Sequence, residues 1–150
     1  MSPSSDESRV ITGPGVEMRL LATGEETGGA WSLLKYEADA GFQGPAPHWH
    51  QEMIEGFYIL EGAIDFEIDG KHRRASPDEF VIVRPRTVHT FSVDSNDPAE
   101  FLVQISPGGF EDYFKELQEL IADADEWPPS DMSPVIELMG RYDSYMPPVE

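Results

Sequence analysis

The feature that most constrains the fold of this chain is a succession of short, alternating segments between residues 10 and 106. In Ile64–Ile68, apolar residues alternate with Asp65 and Glu67, so a strand here would bury one face and expose the other. Asp69-Gly70 follows, and these two residues suit a tight type I′ hairpin. Many such runs, broken by glycine, proline and acidic turns, predict an all-β jelly roll or barrel. The clearest predicted strands are Trp31–Glu37, Phe57–Leu60, Ala63–Ile68, Phe80–Val83, His89–Val93 and Phe101–Ile105.

After Ser106 the spacing of apolar residues changes to that of a helix. Ser106 is a suitable helix cap, and Pro107 suits the first turn. The Ser133-Pro134 pair repeats this start signal, so we expect a second short helix that ends near Arg141. Between the two helices lies a WPPS turn at residues 127–130, which ends an apolar stripe made of Phe110, Phe114, Leu117 and Ile121.

These patterns predict three regions in the chain. Residues 1–9 are polar without periodicity, so we expect a disordered tail. Residues 10–106 would form the β-barrel, and residues 107–150 a helical extension packed on it. A chain of 150 residues is long enough for one domain with a substantial core.

Composition indicates the cellular compartment of the protein and excludes some covalent bonds and metal ligands. The chain has no cysteine, which excludes disulfides and thiolate metal ligands. No apolar stretch is long enough to span a bilayer. The first residues, MSPSSDESR, lack the apolar segment of a secretory signal. We therefore expect a cytoplasmic protein.

The net charge limits which large molecules and surfaces this protein can bind. Twenty-nine acidic residues oppose ten basic ones, which gives a formal net charge of −19. Such a surface repels nucleic acids and anionic membranes, so neither is expected as a partner. An acidic excess with scarce lysine is what adaptation to a salty, halophilic cytoplasm would produce, because high salt screens the self-repulsion. An ordinary acidic protein is the alternative.

The residues that carry the most chemical information are three histidines and one glutamate. His48 and His50 lie two apart, and in an extended segment both imidazoles would point to the same side. Glu55 precedes the apolar run FYIL, and His89 follows the apolar run FVIV through a short turn. Imidazole nitrogens with a carboxylate oxygen suit Fe, Mn, Ni, Cu or Zn, so a buried mononuclear metal centre is the leading hypothesis. The alternative is two histidines on one solvated strand face.

The same residues resemble the two sequence motifs of the cupin superfamily. His48-x-His50, four residues, Glu55, six residues and Gly62 match the spacing of the first motif. The stretch from Asp78 to His89 is similar to the second motif, with departures: Asp78 replaces a glycine, Arg84 and Arg86 replace the proline and glycine of its turn, and the trailing asparagine is absent. These departures affect the turns and leave the four ligand positions intact.

The resemblance extends beyond the motifs, roughly from Thr12 to Pro148. The segments ATGEETGGAWSLLKYEADAGFQGPAPHWH, SPGGFEDYFKELQEL and ELMGRYDSYMPP are similar to small single-domain cupins grouped with quercetin dioxygenases. The resemblance implies a double-stranded β-helix, the jelly-roll cupin barrel, with one divalent transition metal inside it. Cupins of this kind are often dimers, so it also implies a homodimer.

The implied function is a quercetinase-like dioxygenase that acts on a small aromatic or enolic substrate. In quercetinase-like cupins the glutamate that matches Glu55 is thought to act as a general base for a substrate hydroxyl, and we transfer that role to Glu55. Strand parity makes Phe57, Ile59, Phe91 and Val93 candidates for the substrate pocket, with plain barrel core as the alternative. Two other functions stay open, because one fold hosts many chemistries. They are a non-catalytic, metal-supported module that binds or senses small molecules, and a metal-dependent isomerase or lyase.

Overall fold

The structure is a computed structural model and describes residues 7–150. Within these residues the chain forms nine strands in two antiparallel sheets. The strands are β1 Val10–Gly13, β2 Val16–Ala22, β3 Ser32–Ala38, β4 Ile54–Glu61, β5 Ile64–Ile68, β6 Lys71–Ala75, β7 Phe80–Val83, β8 His89–Ser92 and β9 Ala99–Ser106. The six-stranded sheet has the order β1-β2-β3-β9-β4-β7, and the three-stranded sheet has the order β6-β5-β8. The all-β jelly roll predicted from the sequence is thus confirmed.

The core lies between the two sheets. Alternate residues are buried in several strands, as in β3, where every second side chain from Ser32 onward is buried. Aromatic rings then meet across the interior: Phe57 of β4 lies 5.0 Å from Phe66 of β5 and 5.4 Å from Phe91 of β8, between ring centroids. Edge-to-face contacts of this kind add to the hydrophobic stabilisation of the core.

The hairpin between β5 and β6 forms at the residues predicted for it. Asp69 and Gly70 have φ angles of 53° and 78°, as a type I′ turn requires. Ile68 pairs with Lys71 directly across the turn. The turn therefore fixes the register in which the apolar residues of β5 face the core.

The start of the chain is partly outside the described residues. Residues 1–6 of the expected disordered tail are not described, so this part of the prediction stays open. Glu7–Arg9 form a short 3-10 helix. The guanidinium of Arg9 donates to the carbonyl of Leu20 at 2.9 Å and to Glu26 at 2.8 Å. These bonds tie the short helix to β2 and to the loop that follows it.

Two helices follow the last strand: α1 spans Glu111–Asp123 and α2 spans Ser133–Arg141. The second helix begins and ends where the sequence predicted. The predicted start of the first helix is wrong, because Ser106 is the last residue of β9 and pairs with Ile54. Pairing within the sheet outweighs the local helix-start signal, and α1 begins five residues later. No helix within residues 7–150 has the length and apolar composition needed to cross a membrane.

The first helix lies against the barrel. The amide of Thr12 in β1 donates to Gln118 at 2.6 Å, and Phe114 meets Tyr36 edge-on at 6.2 Å between ring centroids. The predicted apolar stripe is buried at Phe110 and half-buried at its other members, Phe114, Leu117 and Ile121.

Candidate metal centre

His48 and His50 lie in an extended segment between β3 and β4. His48 pairs with His89, through backbone bonds of 3.1 Å and 2.9 Å. The two imidazoles lie on one side of the segment, with ring centroids 4.9 Å apart. Trp49, between them, packs on Tyr145 instead, at 4.8 Å between ring centroids. The alternation predicted for an extended segment is therefore present.

Two other strands complete the cluster. Glu55 is the second residue of β4, and His89 is the first residue of β8. The four predicted side chains come together so that one ligand atom from each lies within 4.8 Å of the others. All four are buried, since Glu55 is 7% exposed and His50 is 1% exposed. This burial is inconsistent with the alternative of a solvated strand face.

The outer nitrogen of each imidazole is held by a backbone carbonyl. Nδ1 of His48 donates to the carbonyl of Ala46 at 2.9 Å. The equivalent bonds are 2.8 Å from His50 to Asp143 and 2.9 Å from His89 to Thr87. A carbonyl can only accept, so each Nδ1 carries a proton. Nε2 then offers a lone pair when the ring is neutral, or a second proton when the ring is charged. This pattern fixes the tautomer that metal-binding histidines need.

The inner atoms converge on the carboxylate. Oε1 of Glu55 lies 2.7 Å from Nε2 of His50 and 3.1 Å from Nε2 of His89. Lone pairs of nitrogen and oxygen that face one another at these distances require a cation between them, either protons or a metal ion. Three imidazole nitrogens and one carboxylate oxygen are a donor set that divalent transition metals accept. The residues present therefore fit such an ion.

The electrostatics of the cluster favour a negative glutamate among histidines. Burial alone would raise the pKa of Glu55, but hydrogen bonds from His50 and His89 outweigh it and hold this pKa well below its ordinary value. Burial would lower the pKa of His50, yet its bond to the Glu55 carboxylate raises that pKa overall. Burial, followed by the charges of His89 and His50, lowers the pKa of His48 to about 4. His48 is thus a neutral imidazole near pH 7, the form that binds metal.

The two motif positions that lack glycine keep a glycine-like backbone. Asp78 has a φ of 71° and Arg86 a φ of 62°, both in the left-handed region. This conformation costs a non-glycine residue about 1–2 kcal/mol. Local bonds hold it: the hydroxyl of Tyr58 donates to Asp78 at 2.8 Å, and the amide of Arg86 donates to the carbonyl of His50 at 2.6 Å. The departures from the cupin motif therefore leave the turns intact.

The C-terminal segment covers the cluster from outside, which sequence reasoning missed. The carbonyl of Asp143 accepts from His50, and the hydroxyl of Ser144 lies 3.1 Å from the same Nδ1. Phe110, before α1, meets the His50 ring at 5.8 Å between centroids. These residues lie 60 to 94 positions from His50, so only their aromatic or small polar character was visible in the sequence.

The four predicted pocket residues lie in the barrel interior. Phe57, Ile59, Phe91 and Val93 are all buried, and Ile59 is 0% exposed. They belong to the continuous hydrophobic core, so which of them a substrate would contact stays a prediction. Tyr36 is buried in the same interior, and burial, with a smaller effect of the Glu55 charge, raises its pKa well above the ordinary value. The fourth histidine, His72, lies outside the cluster on an exposed strand, 3.2 Å from Asp65.

Comparison with known proteins agrees with this geometry. A family model described as Cupin domain matches residues 35–105. The chain is 30% identical over 114 residues to quercetin 2,3-dioxygenase of Bacillus subtilis, covering 76% of this chain and 33% of that protein. The chain thus spans about a third of the length of this relative.

Solved structures show the same fold at low identity. KdgF from Halomonas sp. matches with a TM-score of 0.58 and 23% identity, over 67% of this chain and 86% of that one. A sugar phosphate isomerase from Silicibacter pomeroyi matches with a TM-score of 0.55 and 22% identity, over 62% and 60%. The jelly roll, the matched domain and the buried His-His-Glu-His cluster together place the chain in the cupin superfamily.

Proposed function

We propose that this protein is a metal-dependent dioxygenase of the quercetinase-like type, acting on a small aromatic or enolic substrate. His48, His50, Glu55 and His89 would hold one divalent ion of Fe, Mn, Ni, Cu or Zn. The observation that carries the proposal is the buried cluster itself, in which every Nδ1 bonds outward and Nε2 of His50 and of His89 faces Oε1 of Glu55. The similarity to quercetin 2,3-dioxygenase supports this choice among cupin chemistries.

When bound, a redox-active divalent ion supplies Lewis acidity toward a phenolate or enolate and the electron transfer that dioxygen chemistry requires. The protein contributes the fixed orientation of the ligands. Backbone carbonyls hold the three rings, so little reorganisation of the imidazoles is needed when substrate arrives.

Glu55 has the geometry of a proton acceptor. Both of its contacts with histidine use Oε1, and Oε2 accepts no hydrogen bond from residues 7–150. No buried side-chain oxygen or nitrogen among these residues lacks a partner, so Oε2 retains contact with solvent. This oxygen is therefore available to take the proton of a substrate hydroxyl, which supports the role of general base.

The surrounding wall supports a flat, apolar substrate. Phe57 and Phe91 meet edge to face at 5.4 Å between ring centroids, in the core of the barrel. Aromatic walls with a few polar groups are the usual lining of small-molecule sites. A small molecule is thus the proposed partner, and the homodimer implied by the resemblance belongs to the same proposal.

Oxygen consumption is the direct test. The protein, loaded in turn with each candidate metal, is mixed with a flavonol or a diketone, and dissolved O₂ is followed with an electrode. We expect metal-dependent O₂ uptake and a cleaved product in air. Under argon we expect no product. Product under argon would support the isomerase or lyase instead. Specific binding without turnover would support the sensing module.

A substitution at Glu55 tests the proton acceptor. Glu55→Gln keeps an oxygen donor and removes the basic carboxylate, so turnover is expected to fall by about 100-fold or more. Glu52→Gln is the matched control, because Glu52 is exposed in the loop beside the cluster. Unchanged turnover in Glu55→Gln with metal still bound would remove the role of base.

A further inference from the structure

The end of the chain runs alongside the segment that carries two of the cluster histidines. Trp49 and Tyr145 exchange backbone hydrogen bonds of 2.9 Å in each direction. The indole of Trp49 also donates to the carbonyl of Met146 at 3.2 Å. Residues 143–146 therefore form an outer layer against residues 48–50.

Within this layer the carboxylate of Asp143 accepts hydrogen bonds from three consecutive backbone amides. It accepts from Gln51 at 2.8 Å, from Glu52 at 3.0 Å and from Met53 at 3.1 Å. These residues form the short link between His50 and Glu55. Hydrogen bonds to a carboxylate are about twice as strong as neutral ones, so this group holds the link in one conformation.

The backbone of the same residue holds one of the rings. The carbonyl of Asp143 accepts the Nδ1 proton of His50 at 2.8 Å. Asp143 makes both sets of contacts with a φ of 54°, a left-handed conformation that Asp and Asn tolerate better than most residues. One residue thus restrains the His50 ring through its carbonyl and the path to Glu55 through its side chain.

We propose that Asp143 is a positioning residue for the metal centre: it sets the orientation of His50 and the separation between His50 and Glu55. The inference rests on the proposed function, because it assumes that the cluster binds metal. Asp143 contacts the outer nitrogen of His50 and not the ligand atoms that face Glu55, so it acts through the His50 ring and the 51–53 link. Residues that orient metal ligands in this way typically contribute 10–100-fold to metal affinity.

The test uses Co²⁺ as the probe, with two substitutions of Asp143. Asp143→Asn keeps the size and the tolerance for positive φ, but it has one oxygen instead of two to accept the three amides. Asp143→Gly removes only the side chain, and glycine adopts the φ of 54° without strain. Titration calorimetry is expected to show a Kd for Co²⁺ raised about 10–100-fold in both variants, with one ion bound at saturation.

A spectroscopic readout separates positioning from general stability. At saturating Co²⁺ the visible absorption bands report ligand geometry, and we expect them to shift in both Asp143 variants. Asp131→Asn is the matched control, because Asp131 also accepts a backbone amide, from Ser133 at 3.0 Å, at the start of α2. The control is expected to keep the wild-type Kd and spectrum.

The outcomes are distinguishable from failure of the proposed function. If wild-type protein binds no Co²⁺ at the cluster, the proposed metal site itself is wrong. If wild type binds and the Asp143 variants bind equally well with the same spectrum, the positioning role is overturned, even if their Tm falls. Failure of both Asp143 variants to fold while Asp131→Asn folds would likewise overturn it in favour of a purely structural role.

Discussion

Replacing Glu111 by glutamine should destabilise the protein more than any other isosteric change on α1. Its side chain is buried, with the residue 4% exposed. One oxygen accepts from the hydroxyl of Ser32 at 2.6 Å and from the amide of Gly109 at 3.1 Å, and the other accepts from the amide of Gly24 at 2.7 Å. Glu111 therefore joins the start of α1 to β3 and to the loop after β2.

The magnitude follows from these three bonds. Glutamine has one accepting oxygen, so its amide group must face either the amide of Gly24 or the donors of Ser32 and Gly109. A buried donor left without a partner costs about 1–3 kcal/mol, and the remaining bonds lose the contribution of the charge. We expect a loss of about 2–4 kcal/mol, a large part of the roughly 5–15 kcal/mol by which a typical protein is stable. For a chain of this size the Tm would fall by about 4–16 °C.

Urea unfolding at pH 7 in the presence of a chelator measures this loss without a contribution from metal. Glu119→Gln is the matched control, because Glu119 is exposed on the same helix, and its stability should change by less than about 0.5 kcal/mol. A Glu111→Gln variant as stable as the control would refute the reasoning.

The pH dependence of the same difference gives a second check. Burial would raise the pKa of Glu111, but the bonds from Ser32 and Gly24 lower it below its ordinary value of 4.5. A carboxyl whose pKa is lower in the folded state stabilises the protein above its ordinary pKa and loses that effect as the pH falls through the folded value. The difference between wild type and Glu111→Gln should therefore be full at pH 7 and shrink below about pH 4.5. A difference that grew on acidification would contradict this assignment.

Two further predictions concern the acidic surface and the assembly. Four glutamates form cross-strand pairs on four adjacent strands, in the order Glu17, Glu37, Glu100 and Glu61. Like charges directly opposite one another destabilise a sheet. Lys35 lies 3.8 Å from Glu37 and 2.6 Å from Glu100 and offsets part of this repulsion. Glu17→Gln leaves both ion pairs in place, so it should be more stable than wild type in dilute buffer and equal to it in 1 M KCl, where the screening length is about 3 Å. Urea unfolding at both salt concentrations measures this, and an advantage that persists in 1 M KCl would exclude charge repulsion as its cause. For the predicted homodimer, light scattering should give a molar mass about twice that of one 16.8 kDa chain. A molar mass equal to that of one chain would contradict it.

The parts of the fold that were predictable depend on local geometry. Alternation in Ile64–Ile68 and the Asp69-Gly70 pair specify a hairpin by themselves, and the hairpin formed at those residues. The convergence of the four cluster side chains was also predictable, because period-two spacing aligns His48 with His50 and the cupin resemblance supplies Glu55 and His89. Their role as metal ligands remains a prediction.

The parts that were missed depend on contacts between distant residues. Ser106 has the chemistry of a helix cap, but its pairing with Ile54 makes it part of β9. Glu111 looks like an ordinary acidic residue in a first helical turn, and Asp143 like a surface acid near the end of the chain. Their partners lie 79 to 92 residues away in Ser32, Gly24 and Gln51, so no local pattern could reveal them.

The central claim is that the buried cluster binds one divalent transition metal, and elemental analysis tests it most directly. Wild-type protein and the His48→Ala, His50→Ala double variant are purified without chelators, and the metal content of each is measured by mass spectrometry. The account predicts close to one equivalent of Fe, Mn, Ni, Cu or Zn in the wild type and a loss of that metal in the variant. Wild-type protein that holds no metal even after reconstitution with each ion, or a variant that holds as much as the wild type, would contradict it.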